Sequence, residues 1–429
     1  MCKRIHPFAR WLIFAGVSFV SGALGRSAVR HALAAHWAAS SSQQPLLRAA
    51  ETEPTNPDLW YQLGRYRQFD LQNSNLPLAI AYYQRAISLS PGSATYWMDL
   101  ADVYEASGNL SAAEQSFRNS RRTYPISAQT AWRYGNFLLR HDRVAEGFTE
   151  IHNAVVSDPK LAQLAVSRCW RSSQDINAIL RNALPDQQDD NWAAVQFFVG
   201  TRQSAPAMAV WRRIVAHHQN FPVSNTFPLL DMLLESGDVG EAQNVWVQAL
   251  SAAGVEAKTD SSGSLLWNGG FETKPLNGGF DWRIALTAGV RMGWDNEIFH
   301  SGERSLRVDF DGSANVDFEH VWQYVPVQPG TRYRFAAFLR TEGLTTDSGI
   351  RFEIRDVSRP GSPSSFTSNL VGTLGWSGQD LDFTAGPETK LLKIILRRPP
   401  SEKFANRIRG TAWIDDVVLV PVAKVAGSL

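Results

Sequence analysis

Prolines at positions 91, 125 and 159 stand 34 residues apart, and Pro54 precedes the first of them by 37. That spacing fits one pair of short helices repeated along the chain. It commits the segment to a stack, because a single helical pair cannot bury its own apolar face. The same positions recur within each unit. Trp60, Leu63 and Gly64 correspond to Trp97, Leu100, Ala101 and Tyr104, and more loosely to Trp132, Gly135 and Leu138. Second helices are marked by Ala79, Tyr83 and Ala86, by Ala113, Phe117 and Ser120, and by Gly147, Ile151 and Ala154. The i, i+3, i+4, i+7 spacing from Trp97 to Tyr104 puts one stripe on one helix face, and Gly108-Asn109 breaks the chain before the second helix. The first unit has Tyr66 one place early and extra residues near LQNSNLP; the third has its Trp one position along. After Pro159 the pattern decays, although 226–250 still reads as a pair through Leu229, Leu230, Leu233, Ala242 and Trp246. The expectation is about five helical pairs.

These units resemble tetratricopeptide repeats, whose pattern runs W-x2-LG-x2-Y, then A-x3-F and a closing Pro. The resemblance implies an α-helical solenoid over residues 41–254 that binds a protein partner on its concave face. Gln62, Arg65, Asp99, Asp102, Arg133 and Asn136 are the polar residues expected there. Their mixed signs suit a peptide or protein. Trp60, Trp97 and Trp132 are expected to pack between helices.

Residues 255–264, VEAKTDSSGS, are small and polar and read as a linker. Beyond them the period becomes two. In GIRFEIRDV, Ile350, Phe352 and Ile354 share one face while Arg351, Glu353 and Arg355 share the other. Short alternating runs such as HVWQYVPV, TRYRFAAFLRT and KLLKIILRR are separated by turns at Gln328-Pro329-Gly330, Arg359-Pro360-Gly361 and Gly386-Pro387. The expected architecture is multidomain, α then β: the solenoid followed by an antiparallel β-sandwich over 265–422, with a tail at 423–429.

In this half, RGTAWIDDVVLVP at 409–421 sets a problem of its own. Neighbouring strand residues point to opposite faces, so one of Asp415 and Asp416 should face inward, where an unpaired carboxylate is costly. An Arg or Lys partner, backbone amides in a turn, or a cation would each answer it. WNGGFE at 267–272, HSGERSLRVDF at 300–310, VQPGTRYRFAAFLRTE at 327–342 and TAWIDDVVLVP at 411–421 together resemble a carbohydrate-binding module of the galactose-binding-like jelly-roll type. That resemblance implies a structural calcium ion held by Glu272 and by Asp415 or Asp416, with carbonyls near His300 to Gly302, and a glycan as ligand. Stacking on sugar C–H groups needs flat aromatic faces. Trp294, in GWDNE and expected in a loop, and the strand neighbours Trp322 and Tyr324 are the candidates, whereas Trp282 and Trp376 are expected in the core. The acidic run DFDGSANVDFE lacks the glycine position and terminal Glu of an EF-hand loop and reads as a turn.

The N-terminus carries Lys3, Arg4 and Arg10, then WLIFAGVSFVSGALG at 11–25. A basic start and about 15 apolar residues mark an export signal, shorter than the roughly 20 of a relaxed span. Residues 1–40 therefore read as a cleaved signal or a short membrane anchor, which places the body in the periplasm or cell envelope. Cys2 and Cys169 form no disulfide framework. A formal charge of +1 removes the electrostatic case for nucleic acid. No H-E-x-x-H, G-x-S-x-G or phosphate loop occurs, and His217-His218 are neighbours that point apart on a helix. The reading is a non-catalytic exported adaptor in bacterial envelope polysaccharide synthesis or export. Its rivals are a scaffold that binds no sugar and a polysaccharide-modifying enzyme.

Overall fold

A computed structural model describes residues 7–39, 43–70, 74–217, 220–255, 263–359 and 361–422. Most of the linker, the tail, Cys2, His218 and Pro360 lie outside the described residues. Two compact units divide the chain, Met1–Asp190 and Asn191–Leu429.

The first unit is a series of helical pairs: α1 (Pro7–Ala38) with α2 (Gln43–Thr52), α3 (Pro57–Phe69) with α4 (Leu76–Leu89), and α5 (Ala94–Ala106) with α6 (Leu110–Thr123). Then come α7 (Ala128–Arg140) with α8 (Val144–Ser157), and α9 (Ala162–Ser173) with α10 (Ile176–Asn182). The polar residues between units are caps. Asn56, Asn75, Ser93, Asn109, Ser127 and Asp175 each accept a hydrogen bond from a first-turn amide, which fixes where each helix starts. The Pro–Trp spacing also has a physical basis. Trp60 Nε1 donates to the Pro54 carbonyl and Trp97 Nε1 to that of Pro91, both at 3.0 Å, so each indole ties its helix to the residue that closed the previous unit. Trp132 sits one residue later and makes no such bond among the described residues. Gly64 is required by close approach: a Cβ there would lie 2.7 Å from the ring of Tyr83, which is fully buried.

Fourteen α-helices are described, seven pairs in place of the expected five. One extra pair is α1–α2, whose first helix reads in the sequence as an export segment. Its far end buries Ala34 in a cluster with Leu46, Ala49, Ala50, Leu59 and Leu63.

In the second unit, α11 (Gln188–Gly200), α12 (Ser204–His217), α13 (Phe227–Glu235) and α14 (Val239–Ala252) precede two antiparallel five-stranded sheets. One sheet has the order β1 (Arg283–Ile284), β4 (Phe318–Pro326), β9 (Leu391–Arg398), β6 (Arg351–Asp356), β7 (Ser365–Phe366). The other runs β2 (Val290–Asp295), β3 (Ser305–Asp311), β10 (Arg409–Pro421), β5 (Arg332–Leu344), β8 (Gly372–Thr384). Ile350, Phe352 and Ile354 are buried, as their alternation requires, with Ile394 of the adjoining strand and Leu306, Val308, Phe335, Leu339, Ile414 and Leu419 of the facing sheet. The acidic run at 309–319 covers the end of β3, the connection at 312–317 and the start of β4. The last helical pair packs on this sandwich: Trp246 meets Trp267 and Phe280 edge-on, and Asp231 pairs with Arg283.

Candidate functional site

The first unit brings four of its six expected groove residues together. Arg133 donates to Asp99 at 2.8 Å and also to Asp102, while the Tyr61 hydroxyl donates to the other oxygen of Asp99 at 2.7 Å. Tyr61 on α3, Asp99 and Asp102 on α5 and Arg133 on α7 thus join three successive units. Burial, aided by the Asp99 hydrogen bond, pushes the Tyr61 phenol up to about 12. Burial also raises Asp102 above the usual carboxylate range despite its arginine partner. Asn136 lies beside this network in a cavity of about 290 Å³ with Asp102, Glu105, Trp132, Arg133 and Arg140. Trp132 therefore lines the groove and is not packed away between helices, a consequence of its one-residue shift. Gln62 and Arg65 are exposed, and Arg65 lies about 6 Å from the ring centres of Tyr61 and Phe69.

In the sandwich, Glu272, Asp415 and Asp416 converge on the 300–303 loop. Asp415 is fully buried on β10. Its Oδ2 accepts the amides of His300 at 2.7 Å and Ser301 at 3.2 Å, and its Oδ1 accepts the amide of Asp416 at 2.8 Å. A bulge between Asp415 and Val418, with Asp416 at φ 48°, breaks the strict alternation and turns both side chains toward the same loop. Asp416 accepts from Ser301 Oγ at 2.7 Å and lies 2.6 Å from His300 Nδ1. Glu272 accepts the Glu303 amide at 3.0 Å, and Arg304 reaches only its backbone carbonyl. A Cβ built on Gly270 would lie within 3.8 Å of atoms of all three acidic side chains. Gly302, at φ +70°, has no room for one either: it would sit 2.0 Å from Glu272 Oε1.

The inward aspartate thus finds backbone amides as partners, and among the described residues no lysine or arginine pairs with any of the three carboxylates. The loop presents N–H groups to Asp415 where carbonyls were expected. Burial pushes the Asp415 carboxyl up to about 6. Among the described residues no group of three or more His, Cys, Asp or Glu side chains is placed to hold a metal ion. A neighbouring buried carboxyl, Asp281, is likewise raised to about 6 by burial, although it accepts the amides of Leu276 and Trp282.

The aromatic candidates separate. Trp294 lies in β2, not in a loop, and its half-buried ring packs near Phe271 against the core; Met292 and Trp294 alternate inward on that strand. Trp322 and Tyr324 stand together on the outward face of β4, ring centres 4.7 Å apart. Arg283 lies 4.9 Å from the Trp322 ring centre and Lys393 lies 4.2 Å from it. Trp282 is fully buried, donating to the Asn268 carbonyl, but Trp376 is only half-buried and lies edge-on to His300. His300 also stacks on Phe338, which faces outward from β5. Residue order alone gave no hint of this grouping, because it joins a loop to two strands far apart in the chain.

A tetratricopeptide-repeat family model matches residues 70–128 and 98–160. No curated protein matches the chain. Among solved structures, the module TmCBM61 in complex with β-1,4-galactotriose is 20% identical over 37% of this chain and 99% of its own, with a TM-score of 0.26. The Pseudomonas aeruginosa pilF structure is 19% identical over 48% of this chain and 80% of its own, with a TM-score of 0.25. The enzymatically active domain of the bacteriophage CBA120 tailspike protein 4 is 14% identical over 37% of this chain, with a TM-score of 0.28; the match spans about a fifth of that protein, 21%. The chain carries tetratricopeptide repeats followed by an all-β sandwich.

Proposed function

We propose that the protein is a non-catalytic exported adaptor. Its repeats hold a protein partner on the face organised by Tyr61, Asp99, Arg133 and Asp102, and its sandwich holds a glycan. The setting is bacterial envelope polysaccharide synthesis or export. The observation that supports the glycan reading is the pair Trp322 and Tyr324, outward on one strand, with Lys393 and the Asp231-paired Arg283 lying over the Trp322 ring. Aromatic surface beside a few fixed polar groups is the composition of a sugar subsite. Calcium, bound by Glu272 with Asp415 or Asp416, would be structural and would join the start of the domain to its last strand.

Affinity electrophoresis of the full chain through gels containing envelope polysaccharides tests this. Retardation that falls at least tenfold in apparent affinity for Trp322→Ala or Tyr324→Ala is expected, with no reducing ends released. Free migration of a folded chain through every polysaccharide would favour the scaffold that binds no sugar. Release of reducing ends, abolished by one carboxylate substitution, would make the protein an enzyme.

A further inference from the structure

We infer that α1 is a retained membrane span whose last two turns are a structural part of the repeat array, so that the array is built directly onto its own anchor. The inference rests on the exported reading above. Trp11, Leu12, Ile13, Phe14, Val17, Phe19 and Val20 are all exposed, Trp11 at 72% and Phe19 at 79%. Successive residues are turned by about 100°, so the four at 11–14 surround the start of the helix with apolar side chains. Further along, Ser18, Gly22 and Arg26 on one face line a cavity with Glu53, Thr55 and Asn56. A protein partner would cover one face of such a helix; a lipid bilayer covers all of them.

Length agrees. The apolar run at 11–25 is short when read as an isolated segment, but the helix continues without a break to Ala38. Ser27, Ala28 and Val29 extend the run, and Arg26 can snorkel to the headgroups. Trp11 to Val29 then spans about 28 Å, close to the roughly 30 Å of a hydrocarbon core.

The same helix is tied to the array immediately beyond that point. Arg30 Nε donates to the Thr52 carbonyl at 3.2 Å, and His31 Nδ1 lies 2.9 Å from Glu53 Oε1. Ala34 is 1% exposed against Leu46, Ala49 and Ala50, with Trp37 packed beside it. Cleavage among Ala32 to Ala35 would remove the residue that seals the apolar end of this cluster. Cleavage near Ser21 to Ala23 would have to unwind the middle of a continuous helix.

The test uses the full, untagged chain produced in a bacterial host. Its intact mass should include residues 11–29, and alkaline carbonate should leave it in the membrane pellet. Purified chain should float with vesicles of phosphatidylethanolamine and phosphatidylglycerol. Ala34→Asp should lower the midpoint of helical unfolding by about 5 °C or more, as an unpaired charge in a packed cluster does, while the chain stays in the membrane. A mature chain lacking residues 1–23 or more, or extraction by carbonate, would overturn the span. An unchanged midpoint in Ala34→Asp would overturn the structural role. Glycan retardation is read on the same material: a soluble chain that still binds glycan defeats only the anchor, and a membrane-held chain that binds none defeats only the adaptor reading.

Discussion

The groove of the repeats and the loop end of the sandwich each gather carboxylates, and they neutralise them differently. Asp99 and Asp102 share one guanidinium, that of Arg133, delivered from the next repeat. Asp415 lies deeper, is held by three amides, and stands with Glu272 and Asp416, whose carboxylates no guanidinium pairs with among the described residues. A repeat architecture places the same helix face in register every 34 residues, so a charge on one unit readily meets its opposite on the next. A sandwich brings together loops more than a hundred residues apart, and at this end the three it joins supply acids and amides. The first cluster is closed by the chain itself; the second is left to backbone dipoles and, on the reading above, to a metal ion.

The largest effect should come from Asp415→Ala, which strands three amide donors and should cost the sandwich about 3 kcal/mol in denaturant unfolding. A loss below about 1 kcal/mol would mean that the amides find other partners and that the site is not a structural pin. Arg133→Ala should come next, near 2 kcal/mol, because it leaves two partly buried aspartates facing each other. Asp99→Asn in the same background should recover part of that loss, and its failure to do so would break the parallel between the clusters.

A smaller effect separates the clusters by pH. Asp415 has a folded-state pKa raised above its unfolded value, so the native state binds more protons between about pH 4 and 6, and stability falls as pH rises through that window. Taking metal-free protein from pH 7 to pH 5 should therefore stabilise the sandwich by about 1 kcal/mol through Asp415. Asp281 adds to the same slope. Urea unfolding of wild type and Asp415→Asn at both pH values measures the difference; equal slopes would remove Asp415 as its source.

Legibility followed the same division. The helical pairs could be read from Pro91, Trp97 and their repeats because each element's partner lies within one period. The caps and the Trp–Pro bonds show why those residues recur. The α1–α2 pair was hidden because its apolar stretch is also what an export segment requires, and only Ala34 and Trp37 show its second use. In the sandwich, alternation gave the inward faces of GIRFEIRDV. It could not give the bulge at Asp415 and Asp416, which depends on how β10 meets β5, nor the grouping of His300 with Phe338 and Trp376. Trp294 looked like a loop residue because Gly293 and Asp295 flank it; pairing of β2 with β3 overrode that local preference.

The most direct measurement is thermal unfolding of the full chain at pH 7 with calcium and with chelator, in wild type and in Asp415→Asn. A cation that binds only the folded sandwich stabilises it by RT ln(1 + [L]/Kd), about 2.7 kcal/mol at a hundredfold excess over Kd. The account predicts a higher midpoint with calcium for the sandwich transition in wild type, little or none of that shift in Asp415→Asn, and no shift in the repeats. A wild-type midpoint indifferent to chelator would contradict it and leave the three amides as the whole answer to the buried aspartate.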